Sequence, residues 1–313
     1  MASIWRRLQL LTAGTTPARR FQEEADTGVA AVLMCYRNLR ASNTTAENAE
    51  LFQQAVDIME KKNYEQQKRF VHDEATIQIK QQFAALIKAE TMRPRAAQSL
   101  SVSGFGAESD SPSAEEESAS KDPLRELLGF SLTVEPSSVP NAGEGVKLNG
   151  HLSIGSVVAL FPGTVYLPEH FKKPHYLKEI SNNVYARARF DSIIIDAKNE
   201  SSTPRNPLAV AHKINHPPAE LGPNVMPFAF DFPPEEPFES PEYQRMIPNS
   251  FVEMPSRLAM FGKRALVHGL VFITTAEIND GEELFLNYRY NPNNPFPDWY
   301  TPVDLESDRE MWK

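Results

Sequence analysis

The segment GEELFLNYRY at 281–290 ends on Tyr288 and Tyr290, which lie two apart and would face the same side of a strand, because side chains alternate along an extended chain. Two such phenols offer hydroxyls that orient a reacting group and ring faces that attract a cation. A second group is HKINH at 212–216, where His212 and His216 stand four apart and invite a zinc reading. A metalloprotease needs a glutamate next to the first histidine as general base. Lys213 holds that place, and Pro217-Pro218 stops a regular helix beyond His216, so the spacing argues against zinc. Gly143-Glu144-Gly145 is a third candidate, since two glycines allow positive φ or close backbone approach. Without a third glycine and a following helix it is no dinucleotide fingerprint.

The elements that position these residues can be read from hydrophobic patterning. Val267 and Leu270 to Ile273 form a β-branched and aromatic run, Asn279-Asp280-Gly281 signals a turn, and Leu284-Phe285-Leu286 begins a second run. This predicts strand, short turn, strand. Further short strands are expected at Val157 to Phe161, ended by Pro162-Gly163, at Ile193 to Ile195, and at Asn224 to Met226 after Gly222-Pro223, with the glycines at 143 and 145 preceding the first of them. From Asp26 to about Met92 the apolar period is helical. Val29, Val32, Leu33, Tyr36 and Leu39 open it, Thr44 with Glu47 makes a capping box, and two or three helices form a lobe over 22–96.

Residues 97–122 are rich in Ser, Glu and Gly, too polar to offset the entropy of ordering, and read as a disordered linker. Pro123 then follows Asp122 at the first turn of a helix and opens a folded unit over 123–300, with 301–313 as a tail. Residues 1–21 carry Arg6, Arg7, Arg19 and Arg20 and no acid, the composition of a mitochondrial transit segment, although a basic helix docking on its own domain looks similar.

A chain of 313 residues has room for one large domain or two ordinary ones. The net charge of −9 argues against direct nucleic-acid binding and suits a basic peptide partner. Cys35 is the single cysteine, which rules out an internal disulfide framework and a cysteine-built zinc site, and makes a reducing, intracellular compartment the expectation. No apolar run reaches the roughly 18 residues of a membrane span, so no membrane partner is expected. Oligomeric state is not readable.

Taken in order, five segments resemble a SET domain, the fold of protein lysine methyltransferases. AGEGV at 142–146 is similar to its GxG segment, IGSVVALFPGTVY at 154–166 to the strands that follow, and DSIIIDA at 191–197 to a central strand. HKINH at 212–216 with Pro223-Asn224-Val225 is similar to the NH…PN motif, and GEELFLNYRY to the closing motif with the active-site tyrosine. The resemblance implies an α+β, mostly-β SET fold of small sheets with a pseudoknotted C-terminal segment, preceded by the helical lobe. It also implies methyl transfer from S-adenosylmethionine to a lysine side chain of a protein. Tyr288 would take the catalytic position and Tyr290 line the tunnel. Gly143, Glu144, Gly145, Asn215 and His216 would hold the cofactor, and Asn224 would brace the motif.

His212 matches a cofactor-side histidine of relatives that close the site with a tryptophan, or is a satisfied surface histidine. Trp299 in NPNNPFPDWYTPVDL would stack on the adenine, or act as a hydrophobic clasp. Two departures stand out. Pro217 to Gly222 loosen the NH…PN motif, and a cysteine-rich zinc module after the domain is absent from the sequence. A non-catalytic SET module that binds peptide or serves as a scaffold is therefore the alternative. The resemblance does not identify the substrate protein.

Overall fold

The computed structural model describes residues 17–43, 45–92, 122–181, 183–255 and 265–312. Most of the arginine-rich start and nearly all of the linker expected at 97–122 therefore lie outside the described residues. Three helices come first: α1 (Pro17–Ser42), α2 (Asn48–Glu60) and α3 (Tyr64–Met92). The capping box expected from Thr44 and Glu47 is corrected. The helix α2 begins at Asn48 with Glu47 itself as the capping residue, whose side chain makes no capping hydrogen bond, while Thr44 lies outside the described residues.

On α3 the spacing Ala75, Ile79, Phe83, Leu86 buries one stripe, the pattern of an amphipathic helix on a core. That stripe meets sheet, since the Phe83 ring lies 6.2 Å from Phe232 and 6.0 Å from Phe238. Two glutamines from the same helix satisfy strand backbone: Gln82 donates to the Val157 carbonyl at 2.6 Å, and the Gln78 carbonyl accepts from the Val157 amide at 2.7 Å. Helices and sheets thus share one continuous buried cluster.

Helix α4 (Pro123–Leu128) starts as its sequence requires. The Asp122 carboxylate accepts from the amides of Leu124 and Arg125 at 3.0 and 3.2 Å, Pro123 needs no partner in the first turn, and Gly129 ends the helix at φ +79°. Strand β1 (Phe130–Pro136) runs on from there and pairs antiparallel with β2 (Glu144–Gly150). Glu144 and Gly145 therefore sit inside a strand with β1 before them, a correction to the expectation that they precede the first strands. Gly143, at φ +75°, makes the turn.

A three-stranded antiparallel sheet has the order β3 (Val157–Leu160), β9 (Val267–Thr274), β7 (Val225–Phe232). A four-stranded sheet has the order β5 (Ala186–Ala188), β6 (Ile194–Asp196), β4 (Gly163–Tyr166), β8 (Asn249–Phe251). The remaining short helices are α5 (Pro174–Ile180), α6 (Pro241–Gln244) and α7 (Leu305–Met311). Among the described residues no helix is long and apolar enough to cross a membrane.

The strand, turn, strand expected over 265–290 is corrected in its second half. Both edges of β9 are occupied, by β3 and by β7, so the chain leaving it has no edge of β9 to fold back on. It crosses to β2 instead: Gly281 and Leu284 donate to the carbonyls of Leu148 and Val146 at 2.7 and 2.8 Å, and Leu148 donates to Glu282 at 2.9 Å. One residue further on, the same segment pairs on its other side. Leu286 donates to the Asn215 carbonyl at 2.8 Å and Asn224 to the Phe285 carbonyl at 3.0 Å.

Candidate active site

Three polar side chains hold this crossing segment. The Asn224 amide group brackets it: its carbonyl accepts from the Phe285 amide at 2.7 Å while its nitrogen donates to the Glu283 carbonyl at 2.9 Å. Asn215 reaches the other way and donates to the Glu144 backbone carbonyl at 2.9 Å. The buried Glu283 carboxylate accepts from the Ser137 hydroxyl and from the Ser138 hydroxyl and amide at 2.6 to 2.7 Å. Burial alone would raise its pKa, but these hydrogen bonds prevail and hold the carboxyl below its ordinary range.

A Cβ on Gly145 would lie 2.1 Å from the Glu283 carboxylate. Space for that side chain, as well as any approach of a ligand, therefore requires glycine there. The position expected for cofactor contact is thus also part of the frame.

Beyond the frame the segment carries Tyr288 and Tyr290 into an aromatic cluster. Their expected placement on one strand is corrected, because Arg289 between them adopts φ +48° and residues 287–290 are not strand. The rings nevertheless meet at 5.9 Å, and Trp299 stands edge-on to both at 6.2 and 6.0 Å. Trp299 as a residue is 61% exposed. A core tryptophan would be covered, so Trp299 sits at the rim of the cluster, whereas Tyr300 is the buried clasp, packed on His216 at 4.4 Å and on Tyr290 at 4.7 Å. Arg289 is fixed by two bonds to the Asp26 carboxylate of α1 at 2.6 and 2.9 Å, which ties this turn to the helices.

His216 has a defined tautomer. Its Nε2 faces the Thr301 carbonyl at 2.7 Å and must donate, so Nδ1 accepts from the Tyr288 amide at 3.3 Å. Burial keeps its pKa low, and the imidazole is a neutral strut between the tyrosine segment and the C-terminal segment. The Tyr288 hydroxyl donates to the Ile214 carbonyl at 3.0 Å. Burial pushes this phenol up to about 12, with the nearby Arg187 pulling the other way, so it keeps its proton at neutral pH.

His212 behaves differently from His216. Both of its ring nitrogens are buried, and neither has a hydrogen-bond partner among the described residues. Burial, helped by the Lys213 charge, lowers its pKa to about 4. A neutral imidazole with an idle donor and an idle acceptor is costly to leave unmet. The reading as a satisfied surface histidine is corrected. Lys213 beside it is engaged, pairing with the Glu144 carboxylate at 2.8 Å.

The structure therefore brings Tyr288, Tyr290, His216 and Trp299 into one cluster, joins Asn215 to Glu144, and leaves His212 unpartnered nearby in the chain. Sequence reasoning missed Glu283 and Arg187. Glu283 lies inside a segment that had been singled out, and a buried acid facing two serines is a long-range fact its neighbours do not announce. Among the described residues no group of His, Cys, Asp and Glu is arranged to hold a metal ion.

No protein-family model matches the chain. It is 28% identical over 193 residues to SET domain-containing protein 9 of Homo sapiens, covering 53% of this chain and 60% of that protein. The Pongo abelii protein of the same name matches at 28% over 193 residues, 53% of this chain and 66% of its own length. This chain thus spans about 60% of the human relative it matches. A solved structure described as ctPRC2 in an autoinhibited conformation bound to S-adenosylmethionine aligns with 53% of this chain and 16% of that one, at 16% identity and TM-score 0.30. The resemblance to SET-domain proteins is borne out by the named relatives, and with it the α+β class of small sheets behind a helical region.

Proposed function

We propose, from this kinship with SET-domain proteins, that the chain is an S-adenosylmethionine-dependent methyltransferase acting on the side-chain amine of a lysine in a protein. The observation that carries the reading is the crossing segment, which Asn215 and Asn224 fasten so that Tyr288 lies beside the Ile214 carbonyl, two residues from His212 and its unmet nitrogens.

The residues fit the cofactor. His212 offers one donor and one acceptor in a buried setting, and Trp299 offers an exposed ring face at the rim of the tyrosine cluster. When bound, S-adenosylmethionine supplies an electrophilic methyl carbon on a sulfonium sulfur. With the carbon–sulfur bond broken as a lysine nitrogen takes that carbon, what this chain's own residues would have to supply is alignment, exclusion of water and a deprotonated amine. Tyr288 stays neutral. Its hydroxyl donates to Ile214 and keeps lone pairs free to accept from an amine N–H, which fixes the direction of the nitrogen lone pair. Tyr290 and Trp299 flank Tyr288 with aromatic rings that help to exclude water from the approach.

Transfer of labelled methyl groups from S-adenosylmethionine to lysines of a protein extract tests the reading, with Tyr288→Phe as control. Labelling by the wild type that the variant loses supports it. A wild type that transfers nothing, or a variant that transfers equally well, overturns it.

A further inference from the structure

Two arginines two residues apart reach the space between the sheets from the same strand end, and they are treated in opposite ways. The neighbouring Ala186 and Ala188 pack on the small cluster of Tyr166, Phe171 and Tyr176, which turns Arg187 to the other face of β5. Arg189 is buried and satisfied: it pairs with Asp191 at 2.9 Å and Asp231 at 2.8 Å, and donates to the carbonyls of Phe230 and Gly269 at 3.2 and 2.9 Å. Arg187 is half-buried over the Phe272 ring, with its guanidinium carbon 6.0 Å from the centroid. Its side chain forms no ion pair or hydrogen bond among the described residues. Its charge acts on Tyr288 and Tyr290, so it stands at the tyrosine cluster, and burial lowers its pKa.

A guanidinium removed partly from water and left without an acid is unfavourable by itself, whereas its planar fork binds a carboxylate strongly and directionally. The strand that carries it is the free edge of its sheet, next to the exposed Val184 and Tyr185. We propose that Arg187 is a substrate-selecting residue, which binds the carboxylate of an Asp or Glu flanking the methylated lysine. The proposal rests on the methyltransferase reading and refines it. A chain of net charge −9 would by its overall field favour a basic peptide, and this local cation selects within that field for an acidic neighbour at one position.

The test uses fluorescently labelled peptides with one central lysine, in which each of the three positions on either side is in turn Asp, Glu, Ala or Arg. Binding is read by anisotropy with the full chain, and methyl transfer by label incorporation. The wild type should prefer an acid at one position by about tenfold. Arg187→Gln should abolish that preference, Arg187→Lys should keep part of it, and Arg187→Glu should invert it toward Arg. A wild type with no acid preference at any position, or a preference that survives in Arg187→Gln, overturns the proposal. S-adenosylmethionine affinity of the same preparations reports separately on the methyltransferase reading. Acid preference dependent on Arg187 in a chain that transfers no methyl would sustain the subsite and sink the enzyme.

Discussion

The crossing segment at 281–286 and the aromatic rim around Tyr288 are neighbours in sequence but opposites in how their polar groups are met. In the first, backbone amides, two asparagines and Glu283 are all hydrogen-bonded, several of them twice. Around the second, among the described residues, Arg187 pairs with no acid and Trp299 lies mostly exposed, and His212, close by in the chain, has two idle nitrogens. Folding explains a satisfied network, because each pair stabilises the native chain. It does not by itself explain a buried imidazole whose two nitrogens are unmet, which stability alone would select against. The first region is a frame, and on the proposed function the second is where a ligand would be met.

That contrast can be broken most sharply at Tyr288, where frame and rim join. Tyr288→Phe removes the hydroxyl and keeps the ring, so methyl transfer should fall by a factor of about 10² to 10⁴ while S-adenosylmethionine still binds with near wild-type affinity. Steady-state rates on an authenticated substrate, with titration of the cofactor, separate the two effects.

Within the frame, Asn224→Ala should be the costly change. It leaves the Phe285 amide and the Glu283 carbonyl without partners in a part-buried setting, a loss of about 2–4 kcal/mol on unfolding in urea. At the rim the pattern should reverse. Trp299→Ala should hardly move the urea midpoint, since the ring is largely exposed, but should weaken S-adenosylmethionine by about tenfold to a hundredfold, the scale of stacking an aromatic ring on a base. Partial recovery with Trp299→Phe is expected by calorimetry. A Trp299→Ala variant that loses stability and keeps its cofactor would reverse the assignment of the two regions.

How much of this could be read beforehand differs between the regions. The frame was legible as motifs: Asn215, Asn224 and the 281–290 segment were picked out together, and the structure joins them. What was not legible is where Leu284 to Leu286 pair. That depends on whether the edges of β9 are free, which local patterning does not encode. The same limit explains the positive φ at Arg289, which the Asp26 bridge helps to hold from 263 residues away. At the rim, sequence gives RAR at 187–189 as two equivalent arginines. Only the folded chain, which brings Asp231 to one and not to the other, tells them apart.

The smallest expected effect is a pH dependence of stability from His212. Its folded pKa of about 4 lies below the ordinary 6.5, so the unfolded chain takes up the proton first as pH falls. The contribution is complete above pH 6.5 and is lost as pH drops toward 4. The low pKa of the buried His216 acts in the same direction, so His212→Leu should reduce the acid sensitivity of the urea midpoint without abolishing it.

The measurement that bears most directly on the central claim is calorimetric titration of the purified chain with S-adenosylmethionine, alongside His212→Leu. One saturable site in the wild type, weakened in the variant, is the expected result, because the idle nitrogens of His212 would then have found their partner. No binding to the wild type, or equal binding by both, would contradict the claim that the unmet nitrogens of His212 exist to hold that ligand.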